Sequence, residues 1–377
     1  MKGNYVEIGI DGFGGFEGAN TIGSPVPAGM HFRSGTQHFG FMANPQMNSW
    51  AGSAYDGDFF TPGSPENGWG FEMDTAGGTS AMSYGNNCSY LQQIPGAITS
   101  WSYSAPQTIC EWEGDDTTTS LHFKIYYDLD DANLFYITTI SITNNSSSVV
   151  PDLYYYRNLD PDNNESISGD FTTQNTIVSQ ISMGGTNTSV NATQALPWIS
   201  SFAFLAIDSN WVAGYGGFSN RDASDMYNGV GYTQTVGATN LADESIYLAY
   251  KVSNLAPGNT QSFKFASIFD TTSVTSAITA LSLSTVSINN LPTDLPNVVS
   301  VYPNPFSDNT TIAIQPSVQF KNAEMIVYNV IGKEMIRVKD IQSHEFKFEK
   351  NKLSTGMYLY KLMNDGQEIA TGKLIMK

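Results

Sequence analysis

The chain has 377 residues, of which 41% are hydrophobic and only 14% are charged, well below the ~25% charged fraction usual for soluble globular proteins. It holds 17 Lys and Arg against 35 Asp and Glu, a net charge of -18. Binding to nucleic acid or to anionic membrane surfaces needs clustered Lys and Arg, so both are poor partners, and no apolar run approaches the ~18 residues of a membrane span.

The composition of the whole chain is that of a β-protein, and its first long segment is residues 1–290. Ser, Thr, Asn and Gly are abundant beside 20 Tyr and 21 Phe, a mixture that favours pleated sheets over helix interiors. We therefore expect an all-β chain whose first domain is a large antiparallel β-sandwich. Residues 1–110 contain glycine pairs and several prolines, and we expect them to be loop-rich.

Cys88 and Cys110 lie in this loop-rich part, without the spacing of a metal site. A disulfide between them fits an exported protein and would add ~3 kcal/mol of stability. The alternative is a pair of buried free thiols.

Further along, alternating runs predict strands at residues 121–127, 134–143, 152–157, 202–207, 246–252 and 262–269. The first two are joined by a polar turn, and we read them as a hairpin. Residues 273–283 contain Ala and Leu and are the one candidate for a short helix.

The charge balance changes near residue 300. Residues 301–377 hold ten Lys or Arg and eight Asp or Glu, whereas residues 1–300 hold seven and 27. Pro292 and Pro296 lie just before the change, and we interpret residues 291–298 as a linker. Short alternating runs with glycine turns then fill residues 299–377, which predicts about seven strands in a small immunoglobulin-like sandwich.

The C-terminal segment carries a recognisable set of motifs. Val301-Tyr302-Pro303-Asn304-Pro305-Phe306 is followed by blocks at residues 327–333, 353–360 and 372–377. Together they resemble the type A sorting domain of the type IX secretion system of Bacteroidota. The resemblance implies export through the periplasm to the outer-membrane surface or the extracellular space. It also implies two partners for residues 299–377: the translocon and its outer-membrane shuttle protein.

The motif residues also have physical roles. Pro303 and Pro305 remove backbone donors next to Asn304, which suits a sheet edge. Gly332 and Gly356 occupy expected tight turns, and Lys373 belongs to the terminal block. Export through an oxidising compartment makes the Cys88–Cys110 disulfide more plausible.

The longer domain carries a second, less specific resemblance. Residues 55–70, 155–164 and 216–225 are similar to modules of large cell-surface and gliding-associated proteins of the same bacteria. The resemblance spans most of residues 4–270 and implies a surface adhesin or a structural component. No activity comes with it.

The loop after the strand at 152–157 offers oxygen ligands. Asp160, Asp162, Asn164 and Glu165 could supply several of the six to eight hard oxygens that calcium takes. The match to a calcium loop is incomplete, because Glu165 stands where that loop has Gly and Phe171 where it has Glu. The alternative is an acidic turn that caps backbone amides or pairs with an arginine.

Arg157 and Arg221 each adjoin carboxylates, and we expect them to form a structural fork between two loops rather than a clamp for a substrate.

Candidates for catalysis are few. Glu111, Glu113, Asp115 and Asp116 surround Trp112, which invites comparison with glycosidase carboxylates. Alternate members of such a segment should point apart, so we favour a solvated acidic turn. His31 and His38 have Asp56 and Asp58 as candidate partners, but loop hydrogen bonding is the simpler role.

Aromatic and threonine residues suggest two surface roles. Six tryptophans and many tyrosines could form a sugar-stacking surface, although such residues in β-proteins usually pack in the core; the tryptophans are Trp50, Trp69, Trp101, Trp112, Trp198 and Trp211. Asp-Thr triplets that resemble a short O-glycosylation motif make Thr75, Thr117 and Thr271 candidates for glycan attachment.

These features favour a non-enzymatic secreted or cell-surface protein with an adhesion, gliding-motility or extracellular structural role, which could include a filament or sheath. Surface polysaccharide or other surface proteins would be its partners, and calcium is the one candidate cofactor. The alternative is a carbohydrate-binding protein or a relative of a polysaccharide-degrading enzyme.

Overall fold

The computed structural model confirms an all-β chain and describes most of it. The described residues are 1–10, 12–15, 41–45, 47, 67–74, 80–86, 94–164, 168–195, 199–218, 222–284, 299–316, 318–329, 334–351, 353–365 and 367–377. They divide into two compact units, Met1–Ser284 and Thr285–Lys377. The boundary predicted near residue 290 lies close to this division, and the predicted linker falls outside the described residues.

The strands of the first unit are antiparallel. In chain order they are β1 (Val6–Ile8), β2 (Phe41–Ala43), β3 (Asn67–Asp74), β4 (Ser80–Asn86), β5 (Gly96–Ser104), β6 (Gln107–Asp116), β7 (Leu121–Asp130), β8 (Phe135–Asn144), β9 (Val150–Leu159), β10 (Thr173–Ser179), β11 (Thr188–Gln194), β12 (Ser200–Ala206), β13 (Trp211–Gly216), β14 (Thr239–Ala242), β15 (Ser245–Leu255) and β16 (Thr260–Ile268).

Two of the sheets in this unit are large. One has nine strands in the order β14-β10-β11-β12-β16-β8-β7-β6-β5, and the other has five in the order β13-β15-β9-β3-β4. A short pair, β1 with β2, forms a further sheet. The hairpin predicted at 121–143 is confirmed as β7 and β8.

The two large sheets pack face to face as a sandwich. Strict alternation of apolar and polar residues creates the inner face, as in β7, where every second residue from Leu121 to Leu129 is buried. Aromatic rings bridge the sheets. The ring centroids of Trp69 on β3 and Phe123 on β7 are 5.1 Å apart, and those of Tyr155 on β9 and Phe263 on β16 are 5.3 Å apart. This aromatic contact set forms the main hydrophobic core.

Two helices cover parts of the outer faces. The helix α1 (Ala223–Asn228) buries Ala223 and Met226 against Tyr156 and Tyr247 of the five-stranded sheet. The helix α2 (Val274–Ser284) packs Ala277 and Leu281 on the nine-stranded sheet, and confirms the helix expected at 273–283. Strands under these helices are buried on both faces, so β9 and β12 lose the alternation seen in β7.

The second unit has two sheets. Its strands are β17 (Val299–Tyr302), β18 (Asn309–Ile314), β19 (Ala323–Asn329), β20 (Glu334–Ile341), β21 (Glu345–Glu349), β22 (Gly356–Asn364) and β23 (Gln367–Met376). Three of them pair in the order β17-β18-β21 and four in the order β20-β19-β22-β23, around a core that includes Phe306, Met325 and Leu374. This agrees with the small sandwich expected from the sequence.

One strand of this unit escaped sequence analysis. The strand β20 carries Arg337, Lys339 and Asp340, and most of its residues are exposed. It lies at the edge of its sheet, where charged side chains are common because they discourage pairing with other chains. Its charge hid the alternating pattern.

The predicted disulfide is absent from the structure. Cys110 is a free thiol, and Cys88 lies outside the described residues. The reason is the pleat of β6, in which Thr108, Cys110 and Trp112 share the buried face. Burial raises the pKa of the Cys110 thiol, so the group stays protonated and unreactive.

Candidate functional site

The acidic loop after β9 gathers carboxylates from two parts of the chain. Asp160 and Asp162 are buried there, and the structure brings Asp243, which follows β14, to them. One oxygen from each of the three carboxylates lies within 4.8 Å of the others. Asp243 is the exposed member of the three. Its neighbours still remove part of its hydration, and this desolvation raises its pKa. Three acidic groups at this distance favour a bound cation or shared protons.

The rest of the loop is held by backbone contacts. Asn163 is fully buried and its Nδ2 donates to the Ala192 carbonyl at 2.9 Å. Asn164 has a φ of 59°, and its carbonyl accepts from the Ser168 amide at 2.8 Å. Glu165, the fourth predicted calcium ligand, lies outside the described residues. Among the described residues, the carboxylates that could hold a hard cation are Asp160, Asp162 and Asp243, with the calcium assignment still a prediction.

Arg157 lies in the core between the two large sheets. It is buried on β9, and its charge partly opposes the burial that raises the pKa of Tyr136 and Tyr155. This placement suits a structural group better than a substrate clamp. Arg221 falls outside the described residues, so the predicted fork between the two arginine loops stays a prediction.

The tryptophans divide between the core and one sheet edge. Trp69, Trp112 and Trp211 are fully buried, as aromatic residues of a sandwich usually are. Trp50 and Trp198 lie outside the described residues. Trp101, in contrast, is 62% exposed on β5, the last strand of the nine-stranded sheet.

The register of β5 against β6 explains this exposed position. Trp101 lies opposite Cys110, Tyr103 opposite Thr108 and Ile98 opposite Trp112. The three β6 residues are buried, so the three β5 residues lie on the same side of the sheet as the core. They stay exposed because they are at its edge: Tyr103 is 54% and Ile98 46% exposed. All nine residues of β5 are exposed.

The acidic residues around Trp112 divide between the two faces of β6, because Asp116 is buried on the Trp112 side and the other three face outward. Glu111 and Glu113 share the outer face of β6, because they are two residues apart. The Lys124 ammonium lies 2.9 Å from one and 3.1 Å from the other. Partial burial would raise the pKa of Glu113, but the contacts with Lys124 and His122 lower it overall. Both carboxylates are therefore salt-bridge partners of one ammonium group.

A second carboxyl pair, Glu72 and Asp222, lies at the start of α1 and was not singled out from the sequence. Burial, followed by a hydrogen bond with Asp222, raises the pKa of Glu72, whereas hydrogen bonds from Glu72, Asp225 and Ser224 outweigh burial and lower the pKa of Asp222. Glu72 Oε2 accepts from the Ser224 amide at 3.0 Å, and Asp222 Oδ1 accepts from the Asp225 amide at 2.9 Å. The two carboxyls therefore have pKa values shifted in opposite directions while both cap the helix.

The remaining candidates are dispersed. Thr117 and Thr271 are exposed in turns. In each turn the preceding carboxylate, Asp116 or Asp270, accepts a hydrogen bond from the residue two positions further along the chain. They remain candidates for glycan attachment. The other predicted residues, Thr75, His31, His38, Asp56 and Asp58, lie outside the described residues.

In the second unit, Asn304 holds the terminal strand. Its Nδ2 donates to the Lys373 carbonyl at 2.8 Å, and its Oδ1 accepts from the Ile375 amide at 2.8 Å. Phe306 continues this pairing, since its amide donates to the Ile375 carbonyl at 3.0 Å and its carbonyl accepts from the Lys377 amide at 2.8 Å. The motif thus occupies the outer edge of β23.

Other motif residues support the same arrangement. The Pro303 carbonyl accepts from Thr310 Oγ1 at 2.7 Å, while Pro305 supplies no donor between Asn304 and Phe306. Gly356 has a φ of 149°, which favours glycine. Gly332 lies outside the described residues. Lys373 is exposed, with its backbone carbonyl bound by Asn304.

Residues 300–377 match the family model described as a secretion system C-terminal sorting domain. They are a type IX secretion sorting domain. The sorting domain makes the protein a secreted cargo of that system, exported to the cell surface or the extracellular space. Among the described helices, none is long and apolar enough to cross a membrane.

Comparisons of the whole chain add no assignment for residues 1–284. A search of curated proteins finds no match. Among solved structures, a polysaccharide lyase matches at a TM-score of 0.36 and 11% identity, over 99% of this chain and 46% of that one. The protein thus spans about half the length of that lyase.

Two further structures are similar over part of the chain. The GH36 α-galactosidase AgaA of Geobacillus stearothermophilus matches at a TM-score of 0.29 and 8% identity, over 60% of this chain and 33% of the enzyme. A galactose mutarotase-like protein of Clostridium acetobutylicum matches at a TM-score of 0.28 and 12% identity, over 54% of this chain and 78% of that protein. Similarities this low assign no activity.

Proposed function

We propose that residues 1–284 form a non-enzymatic adhesion domain that the sorting domain delivers to the cell surface or to the extracellular space. The observation that carries the proposal is β5, an edge strand of nine exposed residues with no charged side chain. Edge strands are usually protected by charges, prolines or short length, because bare ones bind other chains. An uncharged, aromatic edge on an exported domain is suited to contact with a partner.

The charges near β5 support a binding role rather than catalysis. Glycoside cleavage by paired carboxyls needs one group protonated and the other ionised. Glu111 and Glu113 instead both form salt bridges with the Lys124 ammonium group, and these contacts lower the pKa of Glu113. We therefore assign them a structural role on the outer face of the sheet.

The second candidate, a polysaccharide-degrading enzyme, has one observation in its favour. The pKa of Glu72 is raised and that of Asp222 is lowered, as in an acid and base pair. The same two carboxyls accept amides at the start of α1, and we interpret them as a helix cap. A released-sugar assay on a panel of polysaccharides separates the two functions, since measurable turnover would overturn the adhesion proposal.

Adhesion is tested with fluorescent beads that carry the full chain. We expect the beads to attach to cells of the producing bacterium or to its extracellular matrix. The double variant Ile98→Glu/Ser102→Glu, which introduces charge on β5, should abolish attachment. The matched control is Leu241→Glu on β14, the opposite edge of the same sheet, where Leu241 is 71% exposed. Attachment that survives the β5 change would contradict the proposal.

A further inference from the structure

We propose that the exposed face of β5 binds a polysaccharide chain of neutral or amino sugars, with Trp101 and Tyr103 as the stacking residues. The inference rests on the adhesion role proposed above and names the ligand class of the same surface. Three observations carry it: the placement of the aromatic rings of β5, the hydrogen bond of the Tyr103 hydroxyl and the acidic charge of the domain.

The two rings are placed for an extended ligand. Trp101 and Tyr103 are two residues apart on the same side of β5, so their Cα atoms are ~6.8 Å apart along the strand. Each ring is more than half exposed, and Ile98 extends the same apolar row. Flat aromatic faces suit the apolar faces of sugar rings, and a row of them suits successive sugars of one chain.

A polar contact lies beside the two rings. The Tyr103 hydroxyl donates to Asp131 Oδ2 at 2.9 Å, which fixes the ring before a ligand arrives and lowers the entropy cost of binding. Ser100 and Ser102 lie on the opposite face of β5, because they pair with Glu111 and Ile109 of β6, so the polar group beside the two rings is the carboxylate of Asp131.

The surrounding charge selects among saccharides. Asp131 is bound to the Tyr103 hydroxyl beside the rings. Glu111 and Glu113 lie on the opposite face of the sheet, where both pair with Lys124, so the selection rests on Asp131 and on the acidic charge of the domain as a whole. Residues 1–300 hold seven Lys or Arg against 27 Asp or Glu. Anionic polysaccharides would be repelled, whereas neutral sugars are tolerated and amino sugars attracted.

A second copy of the chain is a less favourable occupant of the same edge. The pairing of β5 shifts between Ile98 and Ser100, and a bulge of this kind twists an edge away from strand addition. The acidic charge of the domain also repels another copy. These features favour a ligand that needs ring stacking over one that needs a continuous backbone ladder.

The test uses the full chain and three oligosaccharide probes: chitohexaose, partially deacetylated chitosan oligomers and oligogalacturonate. Titration calorimetry should show binding of at least one of the first two and none of the third. Trp101→Ala should weaken that binding about tenfold, as expected for loss of one stacking contact. Tyr103→Ala should weaken it less, and Leu241→Ala on β14 should leave it unchanged. Thermal unfolding of each variant checks that it folds.

Four outcomes would overturn the inference. The first is preferred binding of oligogalacturonate, and the second is no binding of any probe. The third is unchanged affinity in Trp101→Ala. The fourth is sedimentation that shows a dimer of the unaltered chain and a monomer of Trp101→Ala, because a second copy of the chain would then occupy β5. Beads that still attach through β5 while no probe binds would remove the saccharide class and leave the adhesion role intact.

Discussion

Replacing Asn304 by Ala should loosen the terminal strand of the sorting domain while the rest of its sandwich stays folded. The change removes two hydrogen bonds of 2.8 Å to β23. Each contributes ~0.5–1.5 kcal/mol, and because water can replace both, we expect a total of about 1–2 kcal/mol. In a unit of 60–100 residues this lowers the melting temperature by ~4–16 °C.

Hydrogen exchange of the full chain, read on C-terminal peptides, measures this effect directly. Losing the two hydrogen bonds of Asn304 should accelerate exchange at the Ile375 amide by about 5- to 30-fold, the factor that corresponds to a loss of 1–2 kcal/mol in stability. Asn304→Asp is the matched control, because it keeps an acceptor for Ile375 but loses the donor to Lys373, and its effect should be intermediate. Unchanged protection of Ile375 in Asn304→Ala would refute the role assigned to Asn304. If β23 is needed for recognition, export should fall in the same order.

Three further outcomes are expected. The pKa of Glu72 is raised from its ordinary value of 4.5, so its contribution to stability is present below pH 4.5 and is lost as pH rises through the higher folded value. Glu72→Gln should therefore flatten the fall in melting temperature above pH 4.5, and an unaltered profile would contradict the raised pKa of Glu72. Gly114→Ala would force a Cβ into the Trp112 ring and should lower the free energy of unfolding by ~1–3 kcal/mol, as measured by denaturant unfolding. Gly217→Ala is the control, because an added Cβ there meets nothing within 4 Å, and it should change stability by less than ~0.5 kcal/mol. Calcium should raise the melting temperature of the full chain, and Asp243→Asn, at the exposed member of the acidic cluster, should reduce the rise; no calcium heat in calorimetry would remove the assignment.

The fold class and the sorting domain could be predicted from the sequence because their signals are local. Alternation of apolar and polar residues reports which face of a strand is buried, as β7 shows from Leu121 to Leu129. The Pro303-Asn304-Pro305 motif and the terminal block are contiguous runs whose spacing survives without a structure. Among the described strands of this unit only β20 was missed, because its charged residues hid the alternation that places Ile336 and Val338 on the core side.

The candidate sites were predicted less completely because they depend on distant residues. Asp160 and Asp162 stood out as neighbours in one loop, but Asp243 joins them only through the position of β14 beside β10. Its one local signal was an acidic residue directly after a short strand. Cys110 similarly belongs to the core because of the face it occupies on β6, which its polar neighbours did not reveal.

By itself, therefore, the sequence determined that this is an all-β exported protein with a sorting domain, since strand patterns and short motifs are encoded by neighbouring residues. Only the tertiary structure decided that Trp112 lies in the core and Trp101 at the surface. Both are tryptophans in polar segments of adjacent strands. Their difference arises because strand order places β5 at the end of its sheet, and strand order is set by long-range pairing that no local pattern records.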